Sequence, residues 1–162
     1  MTDQPIKLFE PGETVILANG DYPVSKRATG YLNQARQVIC CDGAANSLVS
    51  AGLEPSLVIG DMDSITPALK LSLDDRVVEI TDQETNDLSK ALSWSTHNGI
   101  KRALVLGATG KRLDHTLANT SLIGEFAGSL ELMMVMDDGY LIPVTGTSTF
   151  YGVPGQQISI FW

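Results

Sequence analysis

Short apolar runs alternate with helix-like segments through most of this chain. The runs are TVILA at Thr14–Ala18, VICC at Val38–Cys41, LVI at Leu57–Ile59, RVVEI at Arg76–Ile80, ALVL at Ala103–Leu106 and LELMMVM at Leu130–Met136. They lack the apolar–polar alternation of a strand with one wet face, which predicts strands covered on both sides. Between them the periodicity is helical. Ser25–Ala35 precedes the second run, and Ala44–Ala51 ends at Gly52. Thr66 followed by Pro67 gives a capping position and then proline at the first helical position. Thr85–His97 carries Leu88, Ala91, Leu92 and Trp94, and Asp114–Ala127 carries Leu117, Ala118, Leu122, Ile123 and Phe126 before Gly128. Strand and helix in strict alternation predict an open, mostly parallel α/β sheet with helices on both faces.

From about Asp138 the texture changes. Tyr140–Val144, Thr147–Tyr151 and Gln157–Phe161 read as short strands separated by Gly and Pro. The expected division is therefore an α/β domain over 1–137 and the opening strands of an incomplete β-sandwich domain over 138–162. The 162 residues suit one domain of ordinary size with a fragment of a second.

Charge narrows the partners. A formal net charge of −8 leaves no basic footprint for nucleic acid, so none is expected. An acidic protein binds polyphosphate only through a divalent cation, backbone N–H groups or a few placed cations. Met1–Glu10 has no apolar core after a basic start, and no apolar run approaches the roughly 20 residues that span a bilayer. Adjacent Cys40 and Cys41 suit neither a disulfide nor a zinc site. A cytoplasmic protein with no membrane partner is expected.

The polar residues fall at strand ends. Asn19-Gly20-Asp21 follows the first run, and Asp42-Gly43-Ala44-Ala45-Asn46 the second. Gly60-Asp61-Met62-Asp63-Ser64 follows the third, and Asp82-Gln83-Glu84-Thr85-Asn86-Asp87 the fourth. Gly107–Asp114 follows the fifth, and Asp137-Asp138-Gly139 the sixth. In a parallel sheet these turns share one edge, where ligands bind. Asp61 and Asp63, two residues apart in a loop, can both reach one hard cation such as Mg2+; the competing reading is a capped turn before the next helix. Asp87 starts a helix, with Lys90 one turn on, and reads as a third oxygen ligand or as ordinary dipole stabilisation. Gly107 and Gly110 with Lys111 and Arg112 could cradle phosphate, although the spacing is not that of the common P-loop. Asp114 reads as a helix cap, a partner for Arg112 or a substrate contact. His97 and His115 have no catalytic partner at a recognised spacing and read as structural.

Taken together, ANGDYP (Ala18–Pro23), CDGAANSL (Cys41–Leu48), PSLVIGDMDSI (Pro55–Ile65), DQETNDLSKAL (Asp82–Leu92) and LGATGKRLDHTLAN (Leu106–Asn119) resemble the thiamine pyrophosphokinases in motif and order. The resemblance implies an α/β catalytic domain followed by a β-sandwich, in a homodimer. It implies transfer of the pyrophosphoryl group of ATP to the hydroxyl of thiamine, giving thiamine diphosphate and AMP. Carried over residue by residue, it implies Mg2+ and polyphosphate handling by Asp61, Asp63 and Asp87, with Asp114 added to the catalytic set. Asn19, Gly20, Asp42, Gly43, Asn46, Ser64, Lys111 and Arg112 would line the nucleotide and phosphate site. Gln83 and Asn86 would meet substrate.

Departures from the family pattern are Gly43-Ala44 for Gly-Gly, Asn86-Asp87 for Thr-Asp, and Gly110-Lys111-Arg112 for Gly-Gly-Arg. Two other readings compete: a truncated nucleotide-binding module without turnover, and a metal-dependent phosphatase. The latter places its D-x-D pair after the first strand, whereas here it follows the third.

Overall fold

A computed structural model describes residues 8–161. Most of Met1–Glu10, and Trp162, lie outside the described residues. The elements are β1 (Thr14–Leu17), α1 (Lys26–Asn33), β2 (Gln37–Cys41), α2 (Ala44–Ser50), β3 (Leu57–Gly60), α3 (Pro67–Leu73), β4 (Val77–Glu79), α4 (Asp87–His97), β5 (Arg102–Leu106), α5 (Leu113–Glu125), β6 (Glu131–Val135) and β7 (Tyr140–Leu141).

They form one seven-stranded sheet in the order β4-β3-β2-β1-β5-β6-β7. Every neighbouring pair is parallel except β6 with β7. The chain steps outward from β1 to β4, then returns through α4 to the other side of β1. Right-handed crossovers put helices on one face while the chain steps one way and on the opposite face when it reverses. The core follows that rule. Alternate strand residues such as Val15, Leu17, Val38 and Cys40 pack with Ala28 and Leu32 of α1 and Leu48 of α2. The residues between them, Ile16, Ile39 and Ile59, pack with Leu88 and Leu92 of α4 and Ile123 of α5. Burial of both faces is why these runs carry no polar alternation.

The α/β reading holds, with ends moved by one or two residues. Ser25 caps α1, its hydroxyl accepting from Ala28 N at 3.2 Å. Thr66 occupies the N-cap position of α3, so neither Asp63 nor Ser64 is the cap. Cys40 and Cys41 are buried free thiols at the end of β2. Among the described residues no helix is long and apolar enough to cross a membrane.

The structure departs from expectation after Asp138. Tyr140–Leu141 does not open a separate sheet but pairs with Met134 and Val135 of β6. Beyond it, neither Thr147–Tyr151 nor Gln157–Phe161 forms a strand; only Thr149 makes an isolated bridge. Phe150, Val153, Ile158 and Ile160 are exposed there. A strand needs a neighbour and a covered face, and two-stranded pieces alone are marginal. In α5 the apolar spacing overstates burial: Leu117 is 62% exposed, and the buried positions are Asn119 and Ile123.

Candidate active site

The loops at the carboxyl ends of β1 to β5 meet along one sheet edge because those strands are parallel. Asp42, Asp61 and Asp63 each offer a carboxylate oxygen there, all within 4.8 Å of one another. At an effective dielectric near 20, two unit charges about 5 Å apart repel by roughly 3 kcal/mol. Such a cluster persists only where the surrounding structure holds it.

Asp42 is the most tightly held. It is fully buried, with a left-handed φ of 38°. Its Oδ2 accepts from Ser64 N and its Oδ1 from Ile65 N, both at 2.9 Å. The β2 loop thereby clamps the β3 loop. Burial raises the Asp42 pKa, while the two N–H groups pull it down and Asp63 and Asp87 push it further up. Between the other two acids, Met62 turns the loop with a φ of 64° and buries its own side chain. The Asp61 pKa is lowered, first by the Gln83 amide, which donates to Oδ2 at 2.9 Å. Asp63 is exposed and accepts from the Ser64 hydroxyl at 2.7 Å.

Asp87 joins the cluster from the first turn of α4. Burial is the main reason its pKa is raised; Asp61 and Asp63 add to the rise, and Lys90 opposes it. The Lys90 ammonium donates to Asp87 Oδ1 at 3.2 Å from a side chain only 4% exposed. Gly60 makes the approach possible: a Cβ there would stand 2.7 Å from Asp42 Cβ and 3.0 Å from Asp87 Oδ1.

Asn46 ties α2 to the same loop. Its amide donates to Ser64 O at 2.9 Å and accepts from Thr66 N at 3.0 Å. Both ends are thus engaged within the protein. Asn86 is likewise a structural polar group, its side chain capping α4 by accepting from Ser89 N at 2.9 Å.

Beside the acids lies a second group, built where the strand order reverses between β1 and β5. Gly20 N donates to Gly107 O at 2.7 Å and Asp21 N to Thr109 O at 2.8 Å, zipping the two loops together. Lys111, with a φ of 51°, donates to Asn19 O at 3.0 Å and to Asn19 Oδ1 at 3.2 Å. Gly43 joins the groups, since a Cβ there would meet Asn19 Nδ2 at 2.6 Å and Ser64 Cβ at 2.9 Å.

Arg112 and Asp114 come just after Lys111 in the chain. They pair with each other at the exposed start of α5, where Arg112 holds the Asp114 pKa down to about 2. His97 and His115 are exposed; His97 Nδ1 lies 2.7 Å from Ser93 O on its own helix, and His115 adjoins Asp114.

Three residues gain importance that spacing alone did not convey. Asp42 belongs to the carboxylate triad rather than only to a phosphate loop. Lys90 is a buried counter-charge, and Asn119 is a buried polar link between loops. Asn119 closes the LGATGKRLDHTLAN motif, and a polar residue on the buried side of a helix was the available signal.

The sequence profile described as "Thiamin pyrophosphokinase, catalytic domain" matches residues 28–134. The chain is 29% identical over 151 residues to thiamin pyrophosphokinase 1 of Caenorhabditis elegans, covering 86% of this chain and 62% of that one. It is 32% identical over 140 residues to thiamine pyrophosphokinase 1 of Oryza sativa subsp. japonica, covering 70% and 53%. The solved thiamine pyrophosphokinase of Bacillus subtilis superposes with a TM-score of 0.60 at 25% identity, over 76% of this chain and 60% of that one. The chain thus spans less than two thirds of these relatives' length. With a profile match running from α1 into β6, the chain belongs to the thiamin pyrophosphokinase family, through that family's catalytic domain.

Proposed function

We infer that this chain is the catalytic part of a thiamine diphosphokinase, which moves the terminal pyrophosphoryl group of ATP to the hydroxyl of thiamine and releases AMP. The observation that carries the reading is the convergence of Asp42, Asp61 and Asp63 within 4.8 Å, on the rim where the family's motifs meet.

The donor set fits a hard divalent cation, because every donor is a carboxylate oxygen. Mg2+ is the cation proposed, with Asp61 and Asp63 as its holders and Asp42 and Asp87 beside them. Bound there, it would supply positive charge to polyphosphate oxygens. The protein's own residues do the rest by position. Lys111 and the Gly107–Gly110 backbone face the phosphates from the β5 loop. Asn19, Gly20, Gly43, Asn46 and Ser64 wall the space between the two groups, and Gln83 fixes Asp61. Arg112 and Asp114, exposed beside that loop, contact the nucleotide when it binds. Asn86 acts through α4, and a direct contact with substrate is its second role.

In the reaction, the thiamine hydroxyl oxygen bonds to the β-phosphorus of ATP. The bond from that phosphorus to the oxygen bridging to the α-phosphorus breaks, and AMP leaves with the electron pair. The hydroxyl proton passes to a rim carboxylate. Asp87, whose burial raises its proton affinity, suits that task. The family resemblance supports a homodimer completed by a β-domain. Two buried, unpaired thiols support a reducing, cytoplasmic setting.

The test follows AMP release from ATP with Mg2+. AMP formed only when thiamine is present supports the reading. Phosphate release from a phosphomonoester with no AMP overturns it.

A further inference from the structure

Side-chain amides link the β5 loop, through α5, to the start of α4. Asn119 lies on the buried side of α5, 7% exposed. Its Nδ2 donates to Ala108 O in the β5 loop at 2.8 Å. Its Oδ1 accepts from Asn86 Nδ2 at 3.1 Å. Asn86 Oδ1 in turn accepts from Ser89 N at 2.9 Å, capping the helix that begins with Asp87. The direction is fixed at both ends. A carbonyl at Ala108 demands a donor, and the N–H of Ser89 demands an acceptor. Only one orientation of each amide satisfies both.

The geometry points to Asn119 as a positioning residue. It holds the Gly107–Lys111 loop in register with Asp87, so that the anion-facing loop and the carboxylates keep one spacing. The inference rests on the transfer reaction proposed above for its kinetic readout and on geometry for the rest. Asn119 meets no ligand itself. Asp87 leans on the relay because α4 reaches this loop through no other hydrogen bond among the described residues. A displacement of about 1 Å at a distance from the chemistry can lower turnover by about 100-fold.

The test is a double-mutant cycle on the full chain. Asn119→Leu removes both links while keeping the same branched outline. Asn86→Ser retains a capping hydroxyl but is too short to reach Asn119. Each single variant is expected to lower kcat about 10- to 100-fold, with the KM for ATP within about threefold, at a temperature where melting curves show it folded. The double variant is expected to fall no further than the worse single one. Multiplying losses, or an Asn119→Leu protein with kcat within twofold of the parent, would overturn the relay. If the parent chain does not turn over, the functional reading fails instead. Amide hydrogen exchange then decides the relay: Asn119→Leu should speed exchange at Ser89, and unchanged exchange there refutes it.

Discussion

Two aspartates in the same cluster have opposite relations to stability. Both Asp42 oxygens accept backbone N–H groups, one buried and one part-buried, whereas Asp63 is exposed and accepts from one hydroxyl. Asn offers only one acceptor oxygen. Asp42→Asn therefore sets an amide N–H2 against the N–H of Ser64 or Ile65, at a cost of about 1–3 kcal/mol. Asp63→Asn should change stability by less than about 0.5 kcal/mol while removing most Mg2+-dependent turnover. Thermal melts and AMP release on the same two proteins would check the contrast. Equal melting temperatures for both variants would contradict it. Gly60→Ala is a third case. Its Cβ would press Asp42 and Asp87 apart from contacts of 2.7 and 3.0 Å. Loss of turnover together with a lowered melting temperature is expected.

At the scale of elements, the end of β6 is fastened to the start of α1 by one carboxylate. Asp137 Oδ1 accepts from Ser25 N at 2.8 Å and Val24 N at 3.0 Å, and these bonds lower its pKa. A carboxylate with a depressed folded pKa contributes fully above its ordinary range and loses that contribution as pH falls through the folded value. Asp137→Ala should thus melt a few degrees below the parent at neutral pH, with the gap closing once Asp137 is protonated in both states. A gap that widens on acidification would disprove the assignment. Neither this tie nor the Asn86–Asn119 link was legible in the sequence, because each joins residues distant along the chain: Ser25 to Asp137, Asn86 to Asn119. What was legible is what repeats locally. The runs TVILA and ALVL announced buried parallel strands, and the order of turns then placed Asp42, Asp61, Asp63 and Asp87 on one rim. The pieces 147–151 and 157–161 misled for the complementary reason. Their local β propensity is real, but propensity yields a strand only where a partner covers it.

For the whole molecule, the sheet order decides how charge meets ligand. The chain carries a formal net charge of −8, and the Asp42, Asp61 and Asp63 cluster sits on the rim that also bears Lys111. A free triphosphate approaching that rim is repelled by fixed carboxylates, with a few cations to offset them. Binding of ATP should therefore require the divalent cation that the carboxylates suit. A ligand at about 100 times its Kd stabilises the folded state by about 2.7 kcal/mol. For a domain of this size that corresponds to about 5–10 °C in melting temperature. Magnesium and ATP together should produce such a rise, whereas ATP in excess chelator should produce almost none. Converting Asp61 and Asp63 together to Asn should abolish the magnesium-dependent part. An equal rise with ATP in chelator, in parent and double variant alike, would mean that the nucleotide is held by the β1 and β5 loops alone and that the carboxylates serve another purpose.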